Sequence, residues 1–452
     1  MKTFKRYVTS YLEDWKTRSN RKPLVLRGAR QVGKTTVVEQ FAQTFPFKIM
    51  LNLEKQDDKR FFQDFTDVKT LTESLFLRNN LSMDNKGQTL LFIDEIQESP
   101  DAIKMLRYFY EEIPELYVIA AGSLLEFALE DIKQYPVGRV EFLYLHPLNF
   151  TEYLKAKGLK ELLIKFREIP VSESAHQLLL DEFNRYVIVG GMPEVIKQYL
   201  NDGNLTNLSR VYESIWSSYR QDVEKYASNT TEKNVLKHIM DRGLFYLDQR
   251  IKFQNFAKSN YKSREVGEAM RNLDTARVIR LIYPTTMQTP PVIPDIRKSP
   301  RMQFLDTGIV NYTLGIQAEM LKLGDLSNEY RGAIIPHMMT QELMSMNVLN
   351  DNKPCFWVRE STQSSSEVDL LMTYNKMLIP VEIKSGKAGR MRSLHQYIDT
   401  CDHSYAIRLY AGKFSIEEHQ TSSGTPYYLM NLPYYCATKL NEYIEYLVET
   451  KS

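Results

Sequence analysis

Gly28-Ala29-Arg30-Gln31-Val32-Gly33-Lys34-Thr35 is the stretch whose reading decides the fold of this chain. The octet fits G-x-x-x-x-G-K-[ST], a phosphate-binding P-loop. Its flanks are the ones that pattern requires. Leu24-Val25-Leu26 reads as a buried strand, and from Thr36 onward Val38, Phe41 and Phe45 share one face of a helix. Glycines let the backbone approach phosphate, and N–H groups at a helix N-terminus favour an anion. Gly28, Ala29, Arg30, Gln31, Val32, Gly33, Lys34, Thr35 and Thr36 are therefore the candidate nucleotide-contacting residues. Lys34 is expected to reach the β- and γ-phosphates, and Thr35 to offer its hydroxyl to Mg²⁺. The expected ligands are ATP and Mg²⁺.

A second stretch, Thr89-Leu90-Leu91-Phe92-Ile93-Asp94-Glu95, is an apolar run ending in two carboxylates, the pattern of a buried parallel strand. Ligands of open α/β sheets lie beyond the carboxyl ends of the strands. Asp94 is thus expected to hold the metal through water, and Glu95 to orient and deprotonate an attacking water. Phosphoryl transfer to a metabolite has no need of Glu95, so its presence favours ATP hydrolysis. Leu116-Tyr117-Val118-Ile119-Ala120-Ala121 reads as another buried strand, ending in Gly122-Ser123 between the first and third strands. Ser123 is then near the γ-phosphate. Arg139, on a loop after Gly138, is a candidate arginine finger, in cis or from a neighbouring subunit.

The 452 residues suffice for two or three domains, and 43% hydrophobic with 25% charged residues is a globular composition. A net charge of +2 calls for no nucleic-acid partner. The start, Met1-Lys2-Thr3-Phe4-Lys5-Arg6, lacks the apolar core of a signal peptide, and no run has the length of a membrane span. Cys355, Cys401 and Cys436 lie far apart without metal-ligand spacing, which suits reduced cysteines of a cytoplasmic protein.

Four segments are expected: a P-loop core at 1–155, a helical lid at 156–228, a winged-helix-like segment with a Pro-rich linker at 229–300, and a second α/β unit at 301–452. In the lid, Val211, Ile215, Tyr219, Val223 and Tyr226 recur at helical spacing as a core stripe. Ala276–Tyr283 reads as a strand after short helices, the order of a winged helix-turn-helix. From Arg250 through Arg301 eleven Lys and Arg face four acids, a candidate contact face for double-stranded DNA. In the last segment Glu367–Leu371 and Leu378–Lys384 read as adjacent strands. Asp369 and Glu382 are then expected to meet at one Mg²⁺, with Lys384 on the same strand face as Glu382, beside Lys387, Arg390 and Arg392.

Together these motifs resemble a family of bacterial and archaeal AAA-type ATPases with a C-terminal domain of unknown function. The shared pieces are Lys22–Thr36, Leu91–Gln97, Pro136–Phe142, Gly190-Gly191-Met192-Pro193-Glu194, Phe304-Leu305-Asp306-Thr307-Gly308, Glu367-Val368-Asp369 and Val381-Glu382-Ile383-Lys384. The resemblance implies an α/β AAA-type P-loop NTPase fold with a helical lid, a winged helix-turn-helix and a restriction-endonuclease-like (PD-(D/E)xK) domain. It implies nucleotide roles at Lys34, Thr35, Asp94 and Glu95, sensing roles at Ser123 and Arg139, and an ancestral nuclease site at Asp369, Glu382 and Lys384.

One departure bears on the nuclease. The family's glutamate soon after Gly-Ala is replaced by Pro336 in Gly332-Ala333-Ile334-Ile335-Pro336-His337, and Glu342 is the candidate substitute, in a different register. Loss of a metal-side carboxylate disfavours cleavage. The expected function is Mg²⁺-dependent ATP hydrolysis coupled to DNA or a protein partner, with a homo-oligomer compatible with relatives that act as rings. The alternatives are a nucleotide-dependent switch with little turnover and an ATP-gated DNA nuclease.

Overall fold

The computed structural model describes residues 4–123, 138–223, 227, 229–317, 328–360, 365–384 and 391–451. Tyr226, Lys387, Arg390 and the pair Pro136-Val137, named above, lie outside the described residues. The chain divides into two compact units. The first holds Met1–His146 with Thr275–Arg277 and Asn347–Asp351; the second holds Pro147–Asp274, Val278–Met346 and Asn352–Ser452.

The first unit is built on five parallel strands: β1 (Leu24–Arg27), β2 (Phe47–Asn52), β3 (Thr89–Asp94), β4 (Tyr117–Gly122) and β5 (Glu141–Tyr144), in the order β2-β3-β4-β1-β5. All six residues of β3 are buried, as an interior parallel strand demands. At the edge, β2 buries only Ile49 and Leu51, and its alternating Phe47-Lys48-Ile49-Met50-Leu51-Asn52 carries no continuous apolar signal. Trp15, on the leading helix Val8–Thr17, packs edge-on against Tyr117. Helices Val68–Arg78 and Pro100–Glu112 bury Leu71, Leu75, Ile103, Leu106 and Phe109 in the same core as Leu91 and Ile93.

The second unit opens with helices. On Ser209–Val223 the buried stripe is Tyr212, Ile215, Trp216, Tyr219 and Val223. The expected stripe is thus shifted at its start: Val211 is half-buried and its neighbour Tyr212 enters the core, stacked on Tyr312. Two quoted motifs meet here. The Gly191 N–H donates to Asp306 Oδ2 at 2.6 Å, and Asp306 also caps the helix Thr307–Thr313 through the Ile309 N–H at 3.1 Å. Gly190 has φ 75°, and a Cβ there would collide with Asp306 and the Gly308 backbone. Burial pushes the Asp306 carboxyl up to about 6.

Helices Thr230–Arg242 and Ser263–Thr275 precede β6 (Ile279–Ile282), then β7 (Pro284–Thr285) and β8 (Arg301–Phe304). β6 and β8 form an antiparallel pair with Ile279 opposite Phe304. The strand expected from Ala276 starts three residues later because Arg277 takes a left-handed conformation, φ 61°. The last sheet contains β9 (Cys355–Glu360), β10 (Ser365–Tyr374), β11 (Met377–Ile383), β12 (Tyr405–Tyr410), β13 (Ser415–Gln420) and β14 (Pro426–Pro433), in the order β13-β14-β12-β11-β10-β9-β7. It is mixed: β10 and β11 form an antiparallel hairpin, and β11, β12 and β14 run parallel.

The basic stretch is less bare than its composition suggests. Arg277, Arg280 and Arg301 are buried, and Arg250, Arg264, Arg297 and Lys298 pair with Glu360, Glu268, Asp295 and Glu360. Lys252, Lys258, Lys262 and Arg271 are exposed.

Candidate functional site

The P-loop leaves β1 at Arg27 and turns into the helix Lys34–Ala42. Three residues in left-handed or related backbone regions shape the turn: Gly28 at φ 153°, Gln31 at φ 61° and Gly33 at φ 96°. A Cβ on Gly28 would run into the Leu145 carbonyl, so that position accepts only glycine. Lys34 is buried, and its ammonium donates to the carbonyls of Gly28 at 3.0 Å and Ala29 at 2.9 Å. Its charge is thereby held inside the loop, where phosphate oxygens would take over those bonds. Ala29 and Val32 are buried and Thr36 is exposed, so the loop's backbone rather than these side chains is what phosphate meets.

β3 delivers Asp94 to the same place. Thr35 donates its hydroxyl to Asp94 Oδ2 at 2.7 Å, and Asp94 Oδ1 accepts the Glu95 N–H at 3.1 Å. Burial raises the Asp94 carboxyl above its ordinary value, against the Thr35 hydrogen bond. A hydroxyl and a carboxylate in contact beside a phosphate loop are the oxygen donors a hard cation takes, so the residues present fit Mg²⁺. Glu95 follows at φ 50°, ψ 46°. A left-handed non-glycine residue costs roughly 1–2 kcal/mol, and such strain concentrates where a side chain must be aimed.

The strand order puts β4 between β1 and β3, with Gly122 opposite Arg27. Ser123, buried, therefore leaves the sheet beside the start of the P-loop. Arg139 does not. β5 begins with Glu141 opposite Leu24, at the end of β1 away from the loop. Arg139 precedes it and pairs with Glu111 at 2.8 Å. The length of β1, roughly 10 Å at strand rise, separates Arg139 from the phosphate end of its own sheet. Arg139 is thus held at the opposite end of β1 from its own phosphate loop.

The residues of the second constellation come together, with a further cation among them. The hairpin places Leu370 opposite Val381, and Asp369 Oδ2 accepts the Ile383 N–H at 2.8 Å. Asp369 and Glu382 are neighbours, but a guanidinium is already there. Arg301, from β8, bonds Glu367 through Nε at 2.7 Å, lies 3.2 Å from Asp369 and 3.7 Å from Asp248, and covers the Phe356 ring. Burial works against the Arg301 charge, but Asp248, Asp369 and Glu367 outweigh it and hold the guanidinium above its ordinary value. Lys384, just past the strand, is paired with Glu382, and Glu382 Oε2 is buried with no hydrogen-bond partner among the described residues. Burial, then Asp369, push the Glu382 carboxyl up to about 7, and burial pushes Asp248 to about 7. The expected Mg²⁺ position between Asp369 and Glu382 is therefore a place where a protein cation already neutralises the acids. Glu342 is no substitute metal ligand: it accepts the Phe150 N–H at 3.1 Å and the Tyr186 hydroxyl at 2.8 Å, fully buried. No local pattern in the sequence links Asp248 or Arg301 to this hairpin, because they are far from it along the chain.

Residues 20–154 match the AAA domain family. This part of the chain is similar to AAA domains, and its strand order and phosphate loop are those of a P-loop NTPase. Residues 180–320 match a domain of unknown function (DUF8612), and residues 331–431 match another (DUF4143). No curated protein matches the sequence. Among solved structures, a Walker-type ATPase of Pyrococcus abyssi matches 69% of this chain and 96% of its own at 16% identity and a TM-score of 0.44. A signal transduction ATPase with numerous domains and a tetratricopeptide repeat sensor, from Pyrococcus horikoshii, matches at 14% identity and a TM-score of 0.27. The match covers 74% of this chain but 47% of that protein's length.

Proposed function

We propose that this AAA-type domain hydrolyses ATP, and that the rest of the chain couples turnover to a partner. The observation that carries the reading is the Thr35–Asp94 contact of 2.7 Å with Glu95 aimed by a left-handed backbone just after it. Backbone N–H groups of residues 28–34 cradle the phosphates, and Lys34 exchanges its two carbonyl partners for β- and γ-phosphate oxygens. Thr35 and Asp94 would hold Mg²⁺, which when bound neutralises charge on those phosphates. Glu95 takes the proton of the attacking water. Arg139 acts from a neighbouring copy.

On this reading residues 1–155 are the motor core, 156–228 the lid, 229–300 the partner-reading segment and 301–452 a nuclease-like scaffold. A cleft of about 740 Å³ lined by Arg250, Lys252, Arg297, Lys298, Ser299, Asp295 and Glu360 supports duplex DNA as that partner. Four cations over two acids there suit a phosphate backbone, with exposed Lys258, Lys262 and Arg271 as further contacts. DNA cleavage is not proposed, because Arg301 stands among the acids that would hold the metal.

Steady-state ATP hydrolysis with Mg²⁺, measured with and without duplex DNA, tests the reading. Glu95→Gln should lower kcat by about 10²-fold or more while nucleotide still binds, and Lys34→Ala should abolish binding. Wild-type turnover unchanged in Glu95→Gln would overturn the assignment of the base. Turnover indifferent to DNA would overturn DNA as the partner.

A further inference from the structure

Glu95 does not stand alone at the end of β3. Two residues on, in the short turn Ile96–Glu98, the Gln97 amide donates through Nε2 to Glu95 Oε2 at 2.6 Å. A carboxylate only accepts, so the NH₂ end must face Glu95 and the orientation of the amide follows from chemistry. The other end, Oε1, is buried and accepts no hydrogen bond among the described residues. It lies against Gly122, the last residue of β4, and a Cβ there would collide with it. Gly122 is opposite Arg27, one residue before the P-loop. An acceptor buried without a donor is rare in folded proteins and asks for one. This one is at the phosphate end of the sheet, on the amide that already holds the base.

We propose that Gln97 positions Glu95 for hydrolysis, and that its Oε1 accepts one hydrogen of the water Glu95 deprotonates. The inference rests on the hydrolysis reading above. The water oxygen forms the bond to the γ-phosphorus. The bond to the β,γ-bridging oxygen breaks, and its electron pair leaves with ADP. One water proton passes to Glu95 and from there to product phosphate; the other points at Gln97 Oε1 throughout. Gly122 is the third member of the arrangement, since any side chain there would take the place of Oε1.

Single-turnover hydrolysis in the full-length protein, with affinity for a fluorescent ATP analogue measured in parallel, tests this. Gln97→Ala should slow hydrolysis by about 10- to 100-fold, the scale of a misplaced catalytic group, with affinity unchanged. In a Glu95→Gln background the same substitution should add nothing, because Gln97 acts through Glu95 and its water. Gly122→Ala, which leaves both side chains in place, should reproduce the loss by displacing the amide. A rate within about twofold of wild type in Gln97→Ala, or losses that multiply in the double variant, overturns the proposal while leaving hydrolysis standing. A wild-type protein that binds ATP without hydrolysing it overturns both.

Discussion

Arg301→Met removes the guanidinium buried among Glu367, Asp369 and Asp248 while keeping the apolar contact with Phe356. The Arg301 side chain is only 10% exposed, while Glu367 and Asp369 keep 29% and 20% of their side-chain surface, so water offsets part of the loss. Taking one member out of a buried ion network costs up to about 3–5 kcal/mol, mostly because the remaining charges are left undercompensated. At about 1.4 kcal/mol per decade that is at most roughly two to three and a half decades in a local opening equilibrium. The backbone reporter is the Ile383 amide, which bonds Asp369 Oδ2 at 2.8 Å. Hydrogen exchange over β10 and β11 should accelerate by up to that factor, with exchange over β3 and β4 unchanged. Millimolar Mn²⁺, without nucleotide, should slow exchange in the variant and leave it unaltered in the wild type, because only the variant has acids lacking a cation. Wild-type exchange in Arg301→Met, or Mn²⁺ protection of β10 and β11 in the wild type, would refute the view that Arg301 fills this site.

The second unit should also be pH-sensitive. Burial pushes the Glu342 carboxyl up to about 8. A raised folded value means the folded state binds the extra proton, so this contribution is full below about pH 4 and is lost as pH rises through about 8. Relative to wild type, Glu342→Gln should gain on the order of 1–3 kcal/mol at pH 9 and lose that advantage by pH 5 in denaturant unfolding; a constant difference would contradict the buried-acid account. Gly190→Ala should destabilise by roughly 2 kcal/mol or more, from backbone strain at φ 75° plus collision with Asp306 and Gly308. A melting temperature within a degree of wild type would mean that the turn relaxes freely.

Local patterns carried much of this protein. Gly28–Thr35 sits between a strand and a helix because the spacing of glycine, lysine and hydroxyl fits only that turn, and β3 was legible because a buried parallel strand is a continuous apolar run ending in its carboxylates. β2 was not, since an edge strand with one wet face blurs into loop. Charge was the poorest guide. Eleven cations between Arg250 and Arg301 read as a surface, yet Arg277, Arg280 and Arg301 are interior, and composition does not say which acid a side chain will meet.

The sequence by itself determined the nucleotide loop and the acids that end β3, because those groups act within a few residues of one another along one strand–turn–helix. Tertiary structure alone decided that Gln97 reaches from Glu95 to Gly122, that Arg139 lies at the far end of β5, and that Arg301 enters the Asp369–Glu382 hairpin. Each depends on strand order or on a side chain brought from dozens of residues away. Coulomb forces and burial act on distance in space, which the order of residues along the chain does not record.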